Sequence, residues 1–128
     1  MAYISDGYSL DATIPPGDEA PAFEVTYRPM LYGERSRLST GITRANESGD
    51  AARMEEWETR LFTAIAKAVK KWTLKDPDGK PVKPTADAIS RLDPSQFESL
   101  YNFTAGYSKP PKDDPEGESE ESADAKNS

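Results

Sequence analysis

Acid–base chemistry in this chain would have to come from carboxylates, lysines and tyrosines, because it contains no histidine and no cysteine. That excludes disulfides, thiol nucleophiles, histidine bases, zinc fingers and the Ser-His and Cys-His pairs of hydrolases. The densest carboxylate group is Glu55, Glu56 and Glu58. Helical spacing brings Glu55 and Glu58 near each other, but Arg60 and the surrounding lysines mark a solvated face rather than a catalytic pair. Asp76 and Asp78 beside Gly79 invite a calcium reading. The later oxygen ligands and the closing Glu of a calcium loop are missing, so the segment reads as a tight reversal between short extended arms. Gly33, Gly41, Gly49 and Gly79 are isolated and no Gly-Lys-Ser/Thr occurs, so no phosphate loop is present. Lys67, Lys70, Lys71 and Trp72 could be drawn as a basic-aromatic surface for nucleic acid. A helix end complementing its dipole, with Trp72 in the core, accounts for them better. The residue types therefore predict no catalytic residue, no cofactor and no metal.

The chain has 128 residues, with 16 Lys+Arg against 23 Asp+Glu and a formal net charge of −7. A phosphate backbone would be repelled overall. The excess is uneven: Ser108 to Ser128 holds three lysines and seven acidic residues, while the preceding 107 residues are nearly balanced. From Ser108 onward there is no large apolar side chain, so the segment cannot offset its ordering entropy and is expected to be disordered. The expected organisation is one body over residues 1–107 and an acidic tail over 108–128. Neither a signal-peptide pattern nor an apolar run of membrane-spanning length is seen, and the expected location is cytoplasmic.

Elements must position whatever this body presents. Tyr8, Leu10, Ala12 and Ile14 alternate with polar residues, as do Phe23, Val25 and Tyr27, predicting two strands paired as an antiparallel hairpin. Pro29 suits the first turn of a helix carrying Leu31, Leu38, Ile42 and Ala45 on one face, with a break over Asn46 to Gly49. Asp50 can cap a central helix to Trp72, striped by Met54, Trp57, Leu61, Ile65, Ala68 and Trp72. Phe62 lies off that stripe and needs a second neighbour or is exposed. Thr85 can cap a short helix to Leu92, and Asp93-Pro94 can start another that stops at Gly106. The fold class is α+β: an N-terminal β-hairpin packed on a small helical bundle.

Large rings crowd this body, among them Tyr27, Tyr32, Trp57, Phe62, Trp72, Phe97, Tyr101, Phe103 and Tyr107. Rings beyond what one core can hold mark an interface, since Tyr and Trp are enriched there. Phe62, Trp72, Tyr101, Phe103 and Tyr107 are the partner-binding candidates.

The run Trp72-x-Leu74-x-Asp76-x-Asp78-Gly79-Lys80-Pro81-Val82, followed by Pro84-Thr85 and by Ile89 and Leu92, resembles small tail-assembly chaperones and related tail-region proteins of long-tailed bacteriophages. The likeness extends over roughly residues 20–105. It implies a non-enzymatic protein that binds the tape-measure protein or tail-tube subunits in the host cytoplasm during assembly. A permanent virion component, such as a connector, is the neighbouring reading. A small acidic inhibitor mimicking nucleic-acid charge is the other alternative, although its charge should then be spread over a folded surface rather than held in a tail. No membrane or nucleic-acid partner is expected, and self-association is left open.

Overall fold

Two strands, β1 (Leu10–Ile14) and β2 (Phe23–Tyr27), pair antiparallel with Leu10 opposite Tyr27, Ala12 opposite Val25 and Ile14 opposite Phe23. The computed structural model describes residues 3–110. Alternation does here what it predicts: Ala12, Ile14, Phe23, Val25 and Tyr27 are buried, while Asp11, Thr13 and Glu24 face out. Thr26 Oγ1 donates to Asp11 Oδ1 at 2.6 Å across the outer face. The loop between the strands is fastened from a distance. Gln96, only 2% exposed, donates through Nε2 to the carbonyls of Pro15 and Pro21 at 3.0 and 2.9 Å. A buried amide is tolerated because both of its N–H groups find acceptors.

A third strand, β3 (Val69–Trp72), follows the central helix directly and pairs antiparallel with β2, completing a sheet of order β1-β2-β3. The central helix therefore stops four residues before the expected Trp72. The physical cause is competition for backbone partners. From β-branched Val69 onward the chain turns extended (φ −79°, ψ 122°) and joins the edge of β2. The register shifts between Thr26 and Tyr27, so Val69 is buried, Lys70 and Lys71 are exposed and Trp72 is half-buried. That bulged pattern repeats at three and mimics a helical turn.

Helix α1 (Tyr32–Ser48) begins three residues later than its Pro29 signal. Pro29 is buried ahead of the helix, Leu31 takes the N-cap position, and the Glu34 carboxylate accepts the Leu31 N–H at 2.7 Å. The helix also continues through the expected break to Ser48, ending at Gly49 with φ +70°. Helix α2 (Ala51–Ala68) starts as predicted, Asp50 accepting from the Ala52 and Arg53 N–H groups. Burial along its stripe rises toward the C-terminus: Ile65 and Ala68 are buried, whereas Met54, Trp57 and Leu61 are half-buried.

The remaining signals hold. The Asp76 carboxylate accepts the N–H groups of Asp78 and Lys80, both at 2.9 Å, and Gly79 takes φ +83°. Thr85 caps α3 (Ala86–Ser90), which ends two residues before the expected Leu92, and Asp93 caps α4 (Pro94–Ala105), which stops at Gly106. Ile14, Tyr27, Ile65, Ile89 and Leu100, all fully buried, form the centre of the core where helices meet sheet. The architecture is α+β: three antiparallel strands and four helices among the described residues. None of those helices is long and apolar enough to cross a membrane. The disorder expected over 108–128 falls, from residue 111 on, outside the described residues.

Candidate functional surfaces

The candidate carboxylates make no cluster that could do chemistry. Glu55, Glu56 and Glu58 are exposed, and Glu56 is engaged by Arg60 at 2.8 Å. Among the described residues no group of three or more acidic side chains could hold a metal ion. The Asp76 carboxylate is committed to its own turn.

What stands out is a continuous row of rings. On α2, Phe62 meets the edge of Phe97 from α4 at 5.8 Å between centroids, supplying the second neighbour it needed. Phe97 stacks on Tyr101 one turn later at 6.5 Å, their planes 5° apart, and Tyr101 meets Tyr107 at 5.9 Å. Helical spacing of four aligns the middle pair, and the left-handed Gly106 (φ +90°) turns the chain so that Tyr107 returns beside it. Arg35 of α1 closes the row. Its guanidinium lies 5.1 Å from the Tyr107 ring and 5.8 Å from the Tyr32 ring, and its Nη1 donates to the Ala105 carbonyl at 3.1 Å. Burial, then neighbouring Tyr107, push the Tyr101 phenol above its ordinary pKa, while Arg35 pulls the other way.

Three of the five candidate rings, Phe62, Tyr101 and Tyr107, thus lie on one strip. The other two sit apart from it. Trp72 packs edge-on against Phe23 at 5.7 Å and donates Nε1–H to the Val82 carbonyl at 2.6 Å, tying the Asp76–Lys80 turn to the sheet. Phe103 leans on buried Tyr27 at 6.1 Å. The strip also recruits Tyr32, Arg35 and Phe97, which are not among the five candidates. Tyr32 is 75% exposed and Tyr107 57%.

The flank where α2 meets α1 has the opposite character. Two adjoining hollows, of about 280 and 450 Å³, share Arg37 and Trp57. Their lining includes Arg28, Arg37, Arg44, Arg53, Arg60 and Lys67, with Glu34 the one carboxylate. The Trp57 ring lies against Gly41, where an added Cβ would strike it, and Arg60 stacks over that ring at 4.5 Å. The signal was available: Arg37 and Arg44, and Arg53, Arg60 and Lys67, recur at intervals of seven, which keeps each set on one face of its helix.

Comparison with known proteins adds no relative: no family model matches the chain, and no curated protein or solved structure matches it.

Proposed function

We propose that this chain is a non-enzymatic assembly factor that binds another protein through the aromatic strip. One observation carries the reading. Of the four large apolar or aromatic side chains left exposed among the described residues, Tyr3, Leu31, Tyr32 and Tyr107, the two rings Tyr32 and Tyr107 meet at Arg35, and from Tyr107 the row continues into Tyr101, Phe97 and Phe62. Tyr and Arg are the side chains most enriched where binding energy concentrates, because each combines a broad apolar area with a polar handle. A row of half-buried rings offers grip to the apolar stripe of an amphipathic helix, which presents side chains at three- and four-residue spacing.

The resemblance through Trp72–Val82 and the following Pro84-Thr85 helix start supplies the partner. A tape-measure protein is a long helix-rich chain whose apolar stripes would aggregate before the tail tube encloses them. A small protein covering those stripes in the host cytoplasm would keep it soluble, with no cofactor or metal needed. Apolar contact would supply most of the affinity, so binding should persist at moderate salt.

The test is co-expression of the neighbouring tape-measure protein with and without this chain. A soluble complex on size-exclusion chromatography is expected, and it should be lost when Tyr32 and Tyr107 are both changed to Ala. Equal solubility in both cases, with no complex, would remove the chaperone reading and favour a virion component.

A further inference from the structure

The arginine groove between α1 and α2 is short of anions. Six cationic side chains line it, Arg28, Arg37, Arg44, Arg53, Arg60 and Lys67, with Glu34 the one carboxylate in the lining and Glu56, outside it, pairing Arg60. Within the described residues, Arg37, Arg44, Arg53 and Lys67 have no carboxylate within 4.0 Å. Arg28 is the most telling. Its Nη2 reaches Glu34 only at 3.4 Å, and its buried Nη1 has no hydrogen-bond partner. A buried guanidinium N–H without an acceptor leaves that charge poorly compensated from within the body, so an anion settling over the accessible part of the groove would lower its cost through the field rather than by direct contact.

We propose that the occupant is the acidic C-terminal segment of the same chain, residues 113–124. Two observations select it. The first is charge: residues 111–128 hold seven Asp/Glu against two lysines, a net of −5 beside a lining of net +5. The second is where the described chain ends. Tyr107 is held against Arg35 on the first turns of α1, and Arg35 itself is bonded to Ala105. The chain therefore leaves the body at the first turns of α1, on the side that faces α4, and must pass around that helix, about 10–12 Å across, to reach the groove. From Arg53 to Lys67 the groove runs about 21 Å along α2 at 1.5 Å per residue. Eighteen residues reach up to about 60 Å when extended, so the segment spans the groove with chain to spare.

Free nucleic acid is the obvious competitor for a row of arginines. It meets a protein of net charge −7, which repels it at long range. The tethered segment is present at an effective concentration of the order of millimolar, without any encounter cost. Held in the groove, it screens the arginines from polyanions and leaves the aromatic strip open.

Because the chain has no native cysteine, a full-length Ser122→Cys variant carries a single nitroxide. At low salt, paramagnetic broadening is expected at the backbone amides of Arg37, Arg44, Arg53 and Trp57, and not at the Asp76–Lys80 turn. It should disappear near 1 M salt, where the screening length falls to about 3 Å. It should also be lost in the full-length chain with Glu116, Glu118, Glu120 and Glu121 all changed to Gln, whose amide spectrum reports whether the body stays folded. Broadening absent from the groove, or spread evenly over the surface, would overturn the proposal. So would broadening transferred to unspinlabelled, isotope-labelled molecules in a mixture, which would assign the contact to a second copy. A short DNA duplex shifting the groove amides equally in the wild type and the Gln variant would assign the groove to nucleic acid instead.

Discussion

Arg35 and Arg37 stand two residues apart on α1 and belong to opposite worlds. Arg35 points at α4, its charge spread over the Tyr32 and Tyr107 rings and its Nη1 given to a backbone carbonyl. Arg37 lines the groove with five other cations. Helix geometry makes the division, since residues two apart point to different sides. The same division runs along α2, where Phe62 faces the rings of α4 and Trp57 faces Gly41 and Arg60. The strip satisfies itself by ring on ring and has area to offer; the groove has an excess of positive charge to offer, with Glu34 the one carboxylate in its lining. Affinity at the first should follow buried apolar area and tolerate salt, while affinity at the second should fall as salt rises.

The comparison breaks most completely through what the two flanks share. Ile65 is fully buried at the C-terminal half of α2, between sheet and helices. Ile65→Ala should lower the unfolding free energy by about 2–5 kcal/mol, from lost burial plus the cavity left behind. A urea midpoint, read alongside ring and arginine signals, should show both flanks melting together. Separate transitions would mean that strip and groove fold independently.

Alkali should act on the core beneath both flanks and not on the arginines, which stay charged. Burial, with Tyr8 adding repulsion, pushes the Tyr27 phenol up to about 12, and its hydroxyl has no hydrogen-bond partner. The folded pKa is raised, so the contribution is complete below the ordinary tyrosine value near 10. It is lost as pH climbs from there through 12, by about 2 kcal/mol at pH 12. Tyr27→Phe should remove that part of the alkaline loss, checked by urea midpoints between pH 9 and 12. An unchanged slope would mean the hydroxyl is solvated.

The groove side has its own test in the Gly41–Trp57 contact. Gly41→Ala forces a methyl into the Trp57 ring, which Arg60 pins from above, and should cost about 1 kcal/mol despite better helix propensity. With Trp57→Ala already in place the clash is gone, and the same change should stabilise by up to about 1 kcal/mol. A double-mutant cycle reads the sign reversal; additive values would place the ring elsewhere.

Much of this was legible from residue types alone. The alternation in β1 and β2, the caps at Asp50, Thr85 and Asp93, the stop at Gly106, and the Asp76–Lys80 turn follow from local chemistry acting over four or five residues. What escaped was decided by distant partners. Val69-Lys70-Lys71-Trp72 repeats at three because of a bulge, so it read as the last turn of a helix until β2 offered an edge. Pro29 looked like a helix start because its own constraints fit one; the Glu34 carboxylate moved the start by capping Leu31. The aromatic strip joins residues 32, 35, 62, 97, 101 and 107, and only the pairs 32/35 and 97/101 share a local helical spacing. The groove is legible in the same local way, since Arg and Lys recur every seven residues on two successive helices, although which flank those cations share depends on how α1 packs on α2.

The smallest effect is expected where the strip is most exposed. Tyr107 is 57% exposed, lies past the cap of α4, and touches only Tyr101 and Arg35 through its ring. Arg35 keeps the Ala105 carbonyl and Tyr32 when that ring is removed. Tyr107→Ala should therefore change the unfolding free energy by about 0.5 kcal/mol, since an exposed cation–ring contact is worth about that much. Glu58→Ala, an exposed position on α2 away from both flanks, should sit within the same margin and serves as the reference. Paired urea melts decide between the two meanings of an exposed ring. If Tyr107→Ala matches Glu58→Ala, the ring does little for the fold and is available for a partner. A loss near 2 kcal/mol would make Tyr107 part of the core and leave the binding strip without its most accessible residue.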